Sequence, residues 1–198
     1  MSLAVGLALI IGYALGSVPV ALYVAEFHGV DLYEVGDGNP GAWNALEALG
    51  GRLAWPAFIG DGLKGLLAGL IGLWLGGVAV AYVAVAAAMF GHCFPMFADF
   101  KGGKAVMTFA GGAFALSPGA AFVSLLACVL ISFVTGGFKW GARVGVFGFP
   151  VVQLLFDPVG QVIATGALMS IIGLRYLVGR RRGRRAPARS APVGPRRA

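Results

Sequence analysis

The chain has 198 residues, of which 59% are hydrophobic and only 12% charged, and its mean hydropathy is +0.86. Soluble domains carry about a quarter charged residues, so this composition excludes an ordinary water-soluble globule and implies an all-α polytopic membrane protein. The net charge of +7 does not point to nucleic acid, because eight of the fifteen basic residues are arginines after Gly179; a basic segment directly after an apolar helix fixes topology and meets anionic lipid headgroups.

Cys93 and Cys128 are the only cysteines and stand in different apolar surroundings, which gives no disulfide framework. With His28 and His92 they supply too few ligands for a metal site, so neither metal nor cofactor is expected.

The first span is expected over Leu3 to Ala25, long enough to cross about 30 Å of hydrocarbon. It lacks a basic start and exceeds a signal-peptide core, so it reads as a retained helix. Gly16-Ser17-Val18-Pro19 should kink it near its end. A polar segment follows from Glu26 to Arg52, with five acids against that one arginine. Within it, Gly36-Asp37-Gly38-Asn39-Pro40-Gly41-Ala42-Trp43-Asn44 has too many glycines and prolines for a regular helix. It reads either as a solvated connector or as a loop that cradles a ligand.

Span two, Leu53 to Leu75, carries Asp61 and Lys64 on one helical face. Charges at that depth face each other or a polar cavity. Span three, Val78 to Phe90, leads into Gly91-His92-Cys93-Phe94-Pro95 and then Phe100-Lys101-Gly102-Gly103-Lys104. This polar break sets an imidazole and two ammonium groups beside a glycine pair, a combination suited to phosphate or another oxyanion. Span four is short, Ala105 to Leu116, and span five runs from Ala120 to Thr135. A connector over 136–143 precedes span six, Val144 to Phe156, which Gly148 and Pro150 should break; span seven is Val159 to Val178.

About seven spans place the termini on opposite sides. With the tail inside, every Lys and Arg outside the helices (Arg52, Lys101, Lys104, Lys139 and Arg143) falls on the cytoplasmic face, as the positive-inside rule requires. The expectation is an outer N-terminus, an inner C-terminus, one transmembrane domain over residues 1–179 and a disordered basic tail over 180–198. Glycine-rich cytoplasmic loops lie at about 34–52 and 91–106. No internal repeat is visible, which weighs against a transporter built on repeats.

These motifs resemble the bacterial membrane family of acyl-phosphate:glycerol-3-phosphate acyltransferases. The resemblance rests on Gly16-Ser-Val-Pro19, Gly38-Asn-Pro-Gly-Ala-x-Asn44, Asp61-x-x-Lys-Gly65, Gly91-His-x-Phe-Pro-x-Phe97 and Phe100-Lys-Gly-Gly-Lys104, in that order. It implies a multi-pass protein of the bacterial inner membrane. It also implies transfer of an acyl chain from acyl phosphate to the sn-1 hydroxyl of glycerol 3-phosphate, giving lysophosphatidic acid and phosphate. Acyl phosphate is already activated, so the chemistry asks mainly for positioning and charge stabilisation. The residues and the resemblance together mark Lys104 and His92 as catalytic candidates. Ser17, Gly38, Asn39, Gly41, Asn44, Lys64, Lys101, Gly102, Gly103 and Arg143 are the candidates for binding substrate, with membrane lipids as the surroundings.

The chain departs from the family pattern in identifiable places. Asp37 stands for the usual serine, Trp43 for threonine and Glu47 for arginine; Ala105 replaces a glycine. Met169 and Ile172 stand where the family has His and Asn, ahead of an aligned Arg175 and Gly179, and Arg181 stands for Glu. Two other readings therefore stay open: a divergent paralogue that acylates another acceptor or only binds lipid, and a transporter.

Overall fold

A computed structural model describes residues 2–183 of the chain, the side chains of 179–183 excepted. The basic tail from 184 onward lies outside the described residues. Eight helices follow one another: α1 (Leu3–Gly16), α2 (Val20–Phe27), α3 (Ala42–Leu49), α4 (Gly51–Cys93), α5 (Val106–Leu116), α6 (Pro118–Thr135), α7 (Phe138–Gln153) and α8 (Val159–Gly183). Four stretches among them are long and apolar enough to cross a membrane: Leu3–Phe27, Gly51–Cys93, Pro118–Thr135 and Val159–Val178.

The first of these stretches is α1 and α2 joined at an angle. Ser17 closes α1, Pro19 precedes α2, and the break falls on the expected Gly-Ser-Val-Pro segment. The 43 residues of α4 are a helical hairpin rather than one rod. Non-helical Gly76 and Gly77 reverse the chain, Gly77 at φ +78°. A side chain added at Gly72 would reach the Cα of Ala81, and one at Gly69 would touch Val85. The two limbs therefore pack against each other, as the separate spans two and three require. α5 rises only about 16 Å, half of the hydrocarbon thickness.

Packing in this interior depends on small residues, because lipid gives no hydrophobic force between helices and close backbone approach must supply the attraction. α1 lies directly on the returning limb of α4: a Cβ on Gly16 would collide with the Ala88 carbonyl, and one on Gly91 with that of Tyr13. The main apolar cluster joins α4 to α8 through Val85, Met89, Phe109, Leu116, Phe149 and Ile172. A second cluster ties α2 and α3 to the start of α4, and a third ties α1 to α4. Large side chains such as Phe27, Trp74 and Phe133 are more than four-fifths exposed, which suits contact with lipid chains.

One buried polar network bridges three helices. Gln153 Nε2 donates to Tyr82 Oη at 3.0 Å, Thr165 Oγ1 donates to Gln153 Oε1 at 2.7 Å, and the Tyr82 hydroxyl donates to the Gln161 carbonyl at 3.0 Å. Such partners offset the cost of burying polar groups in a lipid-embedded core.

Three local expectations are corrected. The first loop is not irregular throughout: α3 begins at Ala42, so Trp43 and Asn44 are helical. The Gly-Pro run ends at Gly41, and the following Ala-Trp-Asn-Ala-Leu-Glu-Ala-Leu meets no breaker until Gly50. α7 starts at Phe138 and runs unbroken through Pro150 to Gln153. Only Gly136 and Gly137 interrupt the chain, since the polar residues after them disfavour lipid but not a helix, and membrane bundles tolerate an internal proline. Finally, α4 continues to Cys93, which puts His92 in its last turn instead of in the loop beyond.

Candidate functional site

The polar residues gather where the returning limb of α4 ends, beside the first loop and the starts of α5 and α7. Asp61 and Lys64, one turn apart on the outgoing limb, form an ion pair of 2.8 Å and are both buried. Lys64 also donates to the Val18 carbonyl at 3.1 Å, at the break between α1 and α2, where that oxygen accepts from the Val20 N–H as well. His92 Nδ1 stands 3.6 Å from Asp61 Oδ1. This triad is a brace. Removing one partner of a buried pair costs about 3–5 kcal/mol, because the other charge stays buried without compensation.

The glycine pair packs against that brace. The Gly103 N–H donates to the His92 carbonyl at 3.1 Å. A Cβ on Gly102 would strike the same carbonyl, and one on Gly103 the His92 imidazole. The pair is thus required for close approach, and the Gly103 amide is already engaged. Arg175 of α8 holds the turn from the other side: its guanidinium donates to the Gly102 carbonyl at 2.6 Å and to the Gly103 carbonyl at 3.1 Å, and lies over the Phe94 ring. Asp99, Phe100 and Ala105 all adopt positive φ, the last at +59° as α5 begins. Left-handed backbone at a non-glycine residue costs about 1–3 kcal/mol, so the Lys101–Lys104 turn is held in shape by its contacts.

Lys104 emerges from this turn with its ammonium 2.7 Å from Asp37 Oδ2 and 4.5 Å from the centre of the Tyr176 ring. Asp37 in turn accepts from the Asn39 N–H at 3.1 Å. Buried Asn44 anchors the first loop by donating to the Leu32 and Val35 carbonyls at 2.9 and 3.0 Å. The Trp43 indole donates to Glu47 at 2.8 Å and stacks on Phe138, 5.9 Å between centroids, which docks α3 on the start of α7. Tyr33 donates its hydroxyl to the Lys101 carbonyl at 2.8 Å. Desolvation, and then the carboxylates of Asp31, Asp99 and Glu26, push the pKa of that phenol up, so it remains a donor.

These elements enclose a cavity of about 460 Å³. Its polar wall carries Asp37, Asn39, Asn44, His92, Lys104 and Arg143; its apolar wall includes Phe109, Phe114, Leu125, Phe147 and Phe149. Of the residues singled out in the sequence, Lys104, His92, Asn39, Gly41, Asn44 and Arg143 come together on this wall. Gly102, Gly103 and Lys64 stand behind it, bordering a much smaller void with Asp61 and His92. Ser17 caps α1 and is fully buried, its hydroxyl without a hydrogen-bond partner among the described residues. Lys101 is exposed and presents its carbonyl to Tyr33. Gly38 turns the first loop at φ +66°. The sequence reading assigned no site role to Arg175, Tyr176 or Lys139. The one available signal was the alignment of Arg175 with a family segment.

The fold and the cavity define an integral membrane protein whose cavity has lysine and arginine on one wall and aromatic and aliphatic side chains on the other. Comparison with known proteins narrows that class. The glycerol-3-phosphate acyltransferase family matches residues 6–182. The chain is 37% identical over 180 residues to the glycerol-3-phosphate acyltransferase of Neisseria gonorrhoeae, covering 85% of this chain and 88% of that one. It is 44% identical over 113 residues to that of Rubrobacter xylanophilus, an alignment spanning 57% of each. Among solved structures, PlsY, an integral membrane glycerol 3-phosphate acyltransferase, superposes in its glycerol 3-phosphate form with a TM-score of 0.78 and 30% identity over 90% of both chains. Its lysophosphatidic acid form gives 0.76 and 29%. The chain belongs to the glycerol-3-phosphate acyltransferase family.

Proposed function

We propose that this protein transfers an acyl chain from acyl phosphate to the sn-1 hydroxyl of glycerol 3-phosphate, releasing lysophosphatidic acid and inorganic phosphate. The observation that carries the reading is Lys104 on the polar wall of a cavity whose remaining wall is apolar. The acyl chain lies along Phe114, Leu125 and Phe147, and the donor phosphate meets Lys104 at the mouth. The acceptor oxygen bonds to the acyl carbon, the bond from that carbon to phosphate oxygen breaks, and the phosphate departs with the electron pair. The hydroxyl proton leaves to solvent or to the phosphate. Lys104 stabilises charge gathering on the leaving group, a form of catalysis that needs no covalent intermediate. His92, fixed by α4 and Asp61, orients the reacting groups.

Residues 1–179 form a single transmembrane domain in this reading, and the two limbs of α4 count as separate spans. With α1 and α2 as one span, the chain crosses seven times, N-terminus out and C-terminus in, and both glycine-rich segments face the cytoplasm.

The test is an acyl-transfer assay on purified protein in lipid, using palmitoyl phosphate and glycerol 3-phosphate and following both products. Lysophosphatidic acid formation that disappears in Lys104→Ala is the expected result. Phosphate release without lysophosphatidic acid would replace the acceptor, and no turnover by folded protein would overturn the reading.

A further inference from the structure

Two phosphates must be held at once in the proposed reaction, and each monoester carries about −1.5 to −2 charge near neutral pH. The described cations around the cavity are not equally free to meet them. Lys104 is compensated by Asp37, Lys64 by Asp61, and Arg175 is committed to two backbone carbonyls. Glu47, where the resemblance leads one to look for an arginine, brings a negative charge and is bound to the Trp43 indole.

Lys139 and Arg143 are different. They stand four residues apart on α7, hence on one face, and both line the cavity. Neither has an ion-pair partner among the described residues. The Arg143 guanidinium lies 4.8 Å from the centre of the Trp140 ring. A cation–π contact of this kind makes no hydrogen bond and leaves the guanidinium N–H groups available for a bidentate oxyanion. The stack of Trp43 on Phe138 fixes the start of α7 against the first loop, which brings this cationic face to the mouth shared with Lys104.

We infer that Lys139 and Arg143 form the acceptor-phosphate subsite, on α7. The subsite takes the phosphate of a small phosphorylated polyol, while Lys104 takes that of the acyl donor. The assignment rests on the function proposed above and divides its two substrates between two cationic groups.

The test uses Lys139→Gln, Arg143→Gln and the double variant of the full chain in lipid. Both residues are exposed and glutamine preserves helix propensity. Glycerol 3-phosphate binding is measured by calorimetry, and KM for each substrate is measured where turnover exists. A rise in the acceptor Kd and KM of about tenfold for each cation removed, with the palmitoyl phosphate KM unchanged, is the expected result. Recovery of acceptor binding when Glu47→Arg is added to the double variant would support it further. Unchanged acceptor binding in the double variant, equal weakening of both substrates, or a wild-type protein that does not bind glycerol 3-phosphate would overturn the inference. Wild-type protein that binds glycerol 3-phosphate through these residues yet makes no lysophosphatidic acid would refute the proposed reaction and leave the subsite standing.

Discussion

Replacing Asp37 by serine should tighten the site for the acyl-phosphate donor. In the structure the Asp37 carboxylate lies 2.7 Å from the Lys104 ammonium, the group proposed to meet the donor phosphate. The aspartate side chain is 51% exposed and the lysine 20%, so the pair itself is worth at most about 1 kcal/mol. A displaced carboxylate remains close to the incoming anion. Two like charges about 7 Å apart, at an effective dielectric of about 40, repel by roughly 1 kcal/mol. Removing both terms gives about 1–2 kcal/mol, or about 5- to 30-fold in affinity. Initial rates at varied palmitoyl phosphate should show a lower donor KM by that factor, with kcat little changed. Asp37→Asn retains an oxygen to accept the Asn39 N–H and removes only the charge, so it should move KM in the same direction. A donor KM that stays constant or rises in both variants would refute the argument. Asp37 would then be a residue that positions Lys104, not one that competes with phosphate.

Arg175→Gln should leave the Gly102 and Gly103 carbonyls without their charged donor, at a cost of about 1.5–3 kcal/mol. A lower thermal midpoint together with a fall in kcat is expected, and Arg175→Lys, lacking the two-pronged geometry, should recover only part of each. Asn44→Ala removes the donors to the Leu32 and Val35 carbonyls and should destabilise the protein by about 2–3 kcal/mol. Thermal unfolding in detergent reads that loss, and protease cleavage within the first loop at temperatures where wild type resists shows where it falls.

Much of the architecture was legible because lipid imposes simple rules on a chain. Long apolar runs marked four of the stretches, spans two and three were divided where the limbs of α4 meet, and the polar break around His92 and Lys104 located one wall of the cavity. What escaped has definite physical causes. α3 has only eight residues and follows a Gly-Pro run, and the start of α7 carries Lys139 and Arg143, so a reading keyed to long apolar runs took both for connectors. The role of Arg175 could not be read because its partners are backbone carbonyls 72 and 73 residues away, and no side-chain pattern records such a bond. Gly102 and Gly103 suggested an anion-binding turn. Their contacts with His92 show that they also fit the turn against α4, which the sequence alone could not distinguish.

Where the chain departs from its family pattern follows from the same division between brace and mouth. Asp61, Lys64, His92, Gly102, Gly103 and Arg175 are linked by buried ion pairs, backbone donors and contacts too close to admit another atom. Substituting any one would strand a charge or push the Lys101–Lys104 turn from its place, at several kcal/mol. Asp37, on the cavity wall, and Glu47, beside Trp43, are both exposed, where a change of charge costs little stability. Ile172 departs in another manner, by joining the apolar cluster of Phe109 and Phe149 and closing the wall with hydrocarbon. The changes at Asp37, Glu47 and Ile172 leave the brace of Asp61, Lys64 and His92 intact. A scaffold similar to PlsY thus carries two carboxylates, Asp37 and Glu47, in its first loop and α3, while Lys139 and Arg143 on α7 face the cavity.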